Sequence, residues 1–122
     1  MLQNDLYTIQ DWRAGDNAVE TTLFLRPDHS LFEGHFPGQP VLPGACMLQM
    51  IKEIMETALN MHLQLTNAPA MKFLQRVIPD GNTPLQAVCS WRQQEDRSIA
   101  VRATLSIGTK PCFIFSGGFL PA

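Results

Sequence analysis

The sequence predicts an α+β fold, with an antiparallel sheet of about six strands wrapped around one long central helix. Three observations carry that expectation. Apolar residues recur at helical spacing through Met47, Leu48, Ile51, Ile54, Met55, Ala58 and Leu59. They alternate through Ile99, Val101, Ala103, Leu105 and Ile107, with Arg102, Thr104 and Ser106 between them, as in a strand with one buried face. Short turn clusters separate the remaining apolar segments.

In chain order, a strand is expected near Leu6 to Trp12 and a second, rich in β-formers, from Val19 to Leu25, with Ala14-Gly15-Asp16-Asn17 as the turn between them. A proline–glycine loop follows Arg26-Pro27. Pro43 suits the first helical position, where its missing N–H would be an orphan donor anyway. The helix is expected to run to about Met61, with Gln49, Lys52, Glu53, Glu56 and Asn60 on its polar face. Four more strands are expected. The first, Ala70 to Ile78, stops at the turn cluster Pro79-Asp80-Gly81-Asn82. The second, Leu85 to Trp91, sets Leu85, Ala87, Cys89 and Trp91 on one face. The third is the alternating segment Ile99 to Ile107, and the last, Cys112 to Phe119, follows the turn Gly108-Thr109-Lys110-Pro111. The order is β-β-α-β-β-β-β.

The bulk numbers narrow the function classes. A chain of 122 residues, 45% apolar, reads as one domain over residues 1–122 with a real core. Its net charge of -2 argues against nucleic acid as the main partner, and leaves room for a local basic patch facing a smaller acidic one. The start, MLQNDLYTIQ, does not read as a signal peptide, and no apolar run is long enough to span a bilayer. The three cysteines, Cys46, Cys89 and Cys112, form no C-x-x-C pair and suggest no disulfide framework. They read as small buried apolar residues, and a reducing cytoplasm is the expected compartment. No set of His, Cys, Asp and Glu has metal-ligand spacing. No G-x-G-x-x-G, P-loop or G-x-S-x-G motif occurs.

The chemistry concentrates in LFEGHFPGQPVLPGACMLQ, Leu31 to Gln49. Pro37, Pro40 and Pro43 each fix φ and push the preceding residue towards extended geometry. Gly38 and Gly44 permit close backbone approach. Together they hold His35 with little freedom, which suits a catalytic group. Gly44 falls in the first turn of the helix. Its N–H has no intrahelical partner and lies at the positive end of the helix dipole, a good donor for a carbonyl oxygen that becomes negative during reaction. A base beside a thioester or ester carbonyl, with that oxygen on the Gly44 N–H, describes proton abstraction next to the carbonyl. The plainer alternative is a structural connector with a surface histidine.

HFPGQPVLPG followed by an apolar helix resembles the active-site segment of bacterial 3-hydroxyacyl-acyl carrier protein dehydratases of the hotdog fold. His35, Phe36, Gly38, Pro40, Pro43 and Gly44 match the family pattern, as does the preceding Glu33-Gly34. The later MKFLQRVIPDG resembles the family's strand that ends in a Pro-Gly turn, although Asp80 intervenes. The resemblance implies a homodimer of single hotdog domains. It makes His35 the general base that removes the α-proton of a 3-hydroxyacyl thioester, and the Gly44 N–H the donor to the thioester oxygen. Phe36, Gly38 and Pro43 are the substrate-binding candidates. It implies no free cofactor, because the acyl chain arrives on the phosphopantetheine of acyl carrier protein or on coenzyme A. The chain is also similar in size to the aryl-polyene-type subgroup of related single-hotdog proteins.

One position departs from the pattern. Where the family has a Glu or Asp on the helix, contributed across the dimer interface, this chain has Gln49, fourteen residues after His35. A neutral amide can orient a hydroxyl or a water but cannot act as an acid or base near neutral pH. Three readings follow. Gln49 positions substrate or water while His35 moves the proton both ways. Alternatively Glu53, one helical turn on, or Glu33, two residues before His35, supplies the acid. In the third, dehydration is lost and the chain is an acyl thioesterase or a non-catalytic acyl-binding subunit. Lys72, Arg76 and Arg92 are candidate contacts for an acidic carrier protein. Met47, Met50, Met55 and Met71 are candidates to line an adaptable acyl pocket. His29 and His62 read as structural or exposed.

Overall fold

The computed structural model describes residues 2–32 and 41–122. Six strands and one helix follow the expected order: β1 (Tyr7–Gly15), β2 (Ala18–Leu25), α1 (Gly44–Leu59), β3 (Leu63–Phe73), β4 (Leu85–Gln93), β5 (Ile99–Ile107) and β6 (Lys110–Pro121). All six strands join one antiparallel sheet in the order β1-β2-β4-β5-β6-β3. The helix interrupts the hairpin succession, so β3 returns to pair with β6 at the far edge.

Two-residue turns close the tightest hairpins. Asp16 and Asn17 join β1 to β2, and Asn17 takes the left-handed φ of 51° that such a turn asks for. Gly108 does the same at φ 60° between β5 and β6. In the longer loop before β4, the Asp80 carboxylate accepts the N–H groups of Asn82 at 2.9 Å and Thr83 at 2.8 Å. Gly81 there has φ 75°.

The alternation of β5 is realised as expected: Ile99, Val101, Ala103 and Leu105 are buried, with Arg102 exposed between them. Leu85, Ala87 and Cys89 of β4 lie opposite on the same face. Against this face the helix buries Met47, Met50, Ile51, Ile54 and Met55. At roughly 2 kcal/mol for each large apolar side chain removed from water, this stripe holds the helix on the sheet.

Three expectations change. The helix is short: its 16 residues span about 24 Å. It stops at Asn60, whose left-handed conformation (φ 52°, ψ 49°) turns the chain out. The strand expected at Ala70 to Ile78 instead begins at Leu63 and leaves the sheet after Phe73, so Leu74, Gln75, Arg76, Val77 and Ile78 form a loop. Finally, Glu53 does not belong to a solvated polar face, because it is fully buried.

Candidate active site

The start of α1 is pinned before the helix begins. Buried Leu42 donates its N–H to the Val77 carbonyl at 2.8 Å, which ties the entering chain to the loop that leaves β3. Pro43 follows with φ -64° and ψ 147°, an extended residue just outside the helix. Its carbonyl accepts the N–H groups of Cys46 at 3.0 Å and Met47 at 3.3 Å. Pro43 therefore caps the helix one position earlier than the sequence suggests, and Gly44 is the first helical residue. Among the described residues no carbonyl accepts the Gly44 N–H, which sits at the positive end of the helix dipole.

The glycine is needed for space. A Cβ at Gly44 would stand 2.6 Å from Cε1 and 2.8 Å from Cζ of Phe73. Phe73 is the last residue of β3. It stacks on Phe113 with centroids 4.9 Å apart, yet keeps about half its surface exposed. Gly44 and Phe73 meet at a cavity of about 410 Å³, whose walls include Val41, Leu42 and Met47 and which Arg76 also lines. Of the basic candidates, Arg76 thus stands beside the helix start. Lys72 is exposed on β3 and is not part of this lining. Arg92 lines a separate groove with Trp91 and Arg102. Met47 alone of the methionine candidates lines the cavity. Met50 and Met55 are core, and Met71 is exposed on β3.

His35, Phe36, Gly38 and Glu33 lie outside the described residues. Gln49 is half-buried, five residues past Gly44 and so roughly 140° further round the helix. It does not line the Gly44 cavity. Its carboxamide Nε2 donates to Glu53 Oε2 at 2.9 Å. Glu53 also accepts the backbone N–H groups of Leu2 and Gln3, each at 2.8 Å, and the Tyr7 hydroxyl at 3.0 Å. Burial alone would raise the Glu53 carboxyl. The hydrogen bonds from Leu2, Gln49, Gln3 and Tyr7 together outweigh it and hold the group below the usual glutamate value. Tyr7 moves the other way, pushed up by burial and by the charge of Glu53. An acid that stays ionised far below neutral pH and is closed in by donors is badly suited to protonate a leaving group, which weighs against Glu53 as a substitute for the missing helix carboxylate.

Sequence reasoning missed both the Glu53 centre and Phe73. Two of the four Glu53 donors are backbone N–H groups about fifty residues away, and no local pattern announces them. Phe73 was visible as the aromatic of the MKFL run, but a strand reading gave it no special place.

Elsewhere, His29 Nε2 lies 3.1 Å from Asp5 and its Nδ1 accepts the Leu31 N–H, while His62 is exposed. Cys89 and Cys112 are buried, and burial pushes the Cys89 thiol up to about 12. Cys46 is only partly buried. Among the described residues no group of three or more His, Cys, Asp or Glu is placed to hold a metal ion, and no helix is long and apolar enough to cross a membrane.

A family model for ApeI-like proteins, described as ApeI dehydratase, matches residues 11–109. No curated protein matches the chain. Among solved structures, the dehydratase heterocomplex ApeI:P from Xenorhabdus doucetiae is similar at 19% identity and TM-score 0.75, over 92% of this chain and 96% of that one. An uncharacterized protein from Erwinia carotovora subsp. atroseptica is 26% identical, with TM-score 0.64, over 94% and 92%. A hypothetical thioesterase with coenzyme A from Streptococcus pneumoniae is 12% identical, with TM-score 0.68, over 95% and 85%. The fold is the hotdog: an antiparallel sheet packed on one helix.

Proposed function

The chain belongs to the ApeI-like dehydratase family, and from that premise we propose that it removes water from a 3-hydroxyacyl thioester, carried on acyl carrier protein, to give the trans-2-enoyl thioester. The observation that carries the reading is the Gly44 N–H at the start of α1, beside an apolar-walled cavity of about 410 Å³.

The thioester oxygen accepts the Gly44 N–H. This favours the enolate-like charge that builds when the C2 proton leaves. His35 takes that proton. The C2–H electron pair becomes the new C2–C3 π bond as the C3–O bond breaks. The imidazolium returns its proton to the departing hydroxide, which leaves as water, and His35 ends neutral. Gln49 orients the hydroxyl and exchanges no proton. Phe36 and Gly38 follow the base closely in sequence, and Pro43 fixes the Gly44 end of the site.

Gly44 and Gln49 point to different sides of one helix, so a single chain does not bring them together. A second copy would supply the other residue. The exposed Met71 and Phe73 on β3, an end strand of the sheet among the described residues, support this homodimer. Arg76, with Lys72 on the adjoining strand, would receive the acidic carrier protein, and no free cofactor is required. The whole reaction suits a cytoplasmic setting.

A second reading has its own support. A neutral Gln49 is also a good holder of water, and a hypothetical thioesterase shares the fold. In that case His35 would activate the water and the thioester would be hydrolysed. Mass spectrometry of 3-hydroxyacyl carrier protein after incubation separates the two. Dehydration leaves an acyl group lighter by one water and still attached. Hydrolysis leaves the bare phosphopantetheine thiol, and this outcome would replace the dehydratase reading. An unchanged acyl carrier would point to a non-catalytic acyl-binding subunit.

A further inference from the structure

We infer that Glu53 is a positioning residue, which fixes the end of the Gln49 carboxamide that faces the reaction. The inference rests on the dehydratase reading above and deepens it.

The two oxygens of Glu53 are fully subscribed. Oε1 accepts the Gln3 N–H at 2.8 Å and the Tyr7 hydroxyl at 3.0 Å. Oε2 accepts the Leu2 N–H at 2.8 Å and Gln49 Nε2 at 2.9 Å. An ionised carboxylate has about four acceptor positions and no donor. Two of its partners are backbone N–H groups, which can only donate. The Gln49 amide is the one partner with two different ends. Were it reversed, its carbonyl oxygen would face Glu53 Oε2, lone pair against lone pair, beside a fully buried side chain. Its NH₂ end is therefore held inward and its carbonyl oxygen outward.

The helix position that carries an acid in related dehydratases thus presents a fixed acceptor. A substrate 3-hydroxyl meeting it must donate its own proton to Gln49 Oε1. The hydroxyl oxygen then keeps its lone pairs for the proton that His35 returns. A free amide would sample both orientations, and in the wrong one its NH₂ would occupy those lone pairs. Glu53 acts on the reaction only through Gln49, and the N-terminal residues Leu2 and Gln3 take part by holding Glu53.

The test uses the full chain labelled with ¹⁵N. The Gln49 side-chain NH₂ pair is identified by its loss in Gln49→Leu. The expected wild-type result is a pair slowed in solvent exchange relative to exposed side-chain amides, and Glu53→Gln removes that protection. With a 3-hydroxyacyl thioester, each single variant should lower kcat about tenfold with little change in KM, the size of one lost oriented hydrogen bond. The double variant should be no worse than Gln49→Leu alone, because both changes remove the same interaction. A wild-type pair that exchanges like free amides, or a double variant that loses the product of the two single effects, would overturn the inference. If Glu53→Gln does not fold, the wild-type exchange measurement decides alone. A protected pair in a protein that releases thiol without forming enoyl product would support the clamp while removing the dehydratase reading.

Discussion

Helix α1 carries two polar centres of opposite character. At Glu53 a buried carboxylate is closed off by four donors drawn from its own helix, from β1 and from the N-terminal segment. At Gly44 a backbone donor stands at the helix start beside a cavity, with a half-exposed aromatic ring leaning over it. The first centre has every bond it can make and so gives rigidity. The second has a donor to offer and so can receive a developing charge. A helix with an N–H at its start that no described residue accepts, and a saturated acid in its middle, can be held firmly and still bind. The difference also explains why an acidic residue on this helix need not be the acid of the reaction.

The comparison can be broken most severely at His35, the base proposed to serve the open centre. His35→Ala should lower dehydration about 10³-fold, within the range set by general acid–base assistance, while the melting temperature stays close to that of wild type. A loss under tenfold in steady-state kinetics would detach His35 from the chemistry.

Next comes the open centre itself. Gly44→Ala must displace the Phe73 ring, because the new Cβ would sit 2.6 Å from it. We expect kcat/KM to fall about 30-fold, part of what an oxyanion donor contributes. Adding Phe73→Ala relieves the clash and should recover some of that loss, which a double-mutant cycle would read as coupling. Purely additive effects would mean that the ring does not set the space at Gly44.

The closed centre should respond in stability first. Ionised Glu53 has a folded-state pKa below its unfolded one. Its stabilising contribution is therefore complete above the ordinary glutamate value of about 4.3 and is lost as pH falls through the lower folded value. Tyr7→Phe takes away one donor and should cost about 1.5 kcal/mol at neutral pH by denaturant unfolding, with a higher acid midpoint. An unchanged acid midpoint would show that Tyr7 does not help to hold the carboxylate ionised.

Legibility in the sequence followed the range of the forces involved. β5 was readable almost residue by residue, because its alternation is local and its inward face is buried from Ile99 to Leu105. The helix start was readable from Pro43 and Gly44 to within one residue. β3 was not. Its register slips twice around Asn67, where Gly117 and Gly118 make room for the bulging chain, and these irregularities erase the period of two. The apolar run that looked like a strand instead leaves the sheet after Phe73, with Leu74 and Ile78 exposed and Val77 turned into the core. Glu53 was misplaced on a polar stripe because its partners are supplied by tertiary contact, which no helical periodicity encodes. The Gln49 departure was plain in the sequence, but its orientation depended on Glu53 and so was not.

The most direct measurement follows enoyl-thioester absorbance and free-thiol release in one sample of purified protein with a 3-hydroxyacyl thioester, with His35→Ala alongside. Enoyl absorbance that rises without thiol and is lost in the variant is the predicted result. Thiol release without enoyl product, or enoyl formation that persists in His35→Ala, would contradict the account.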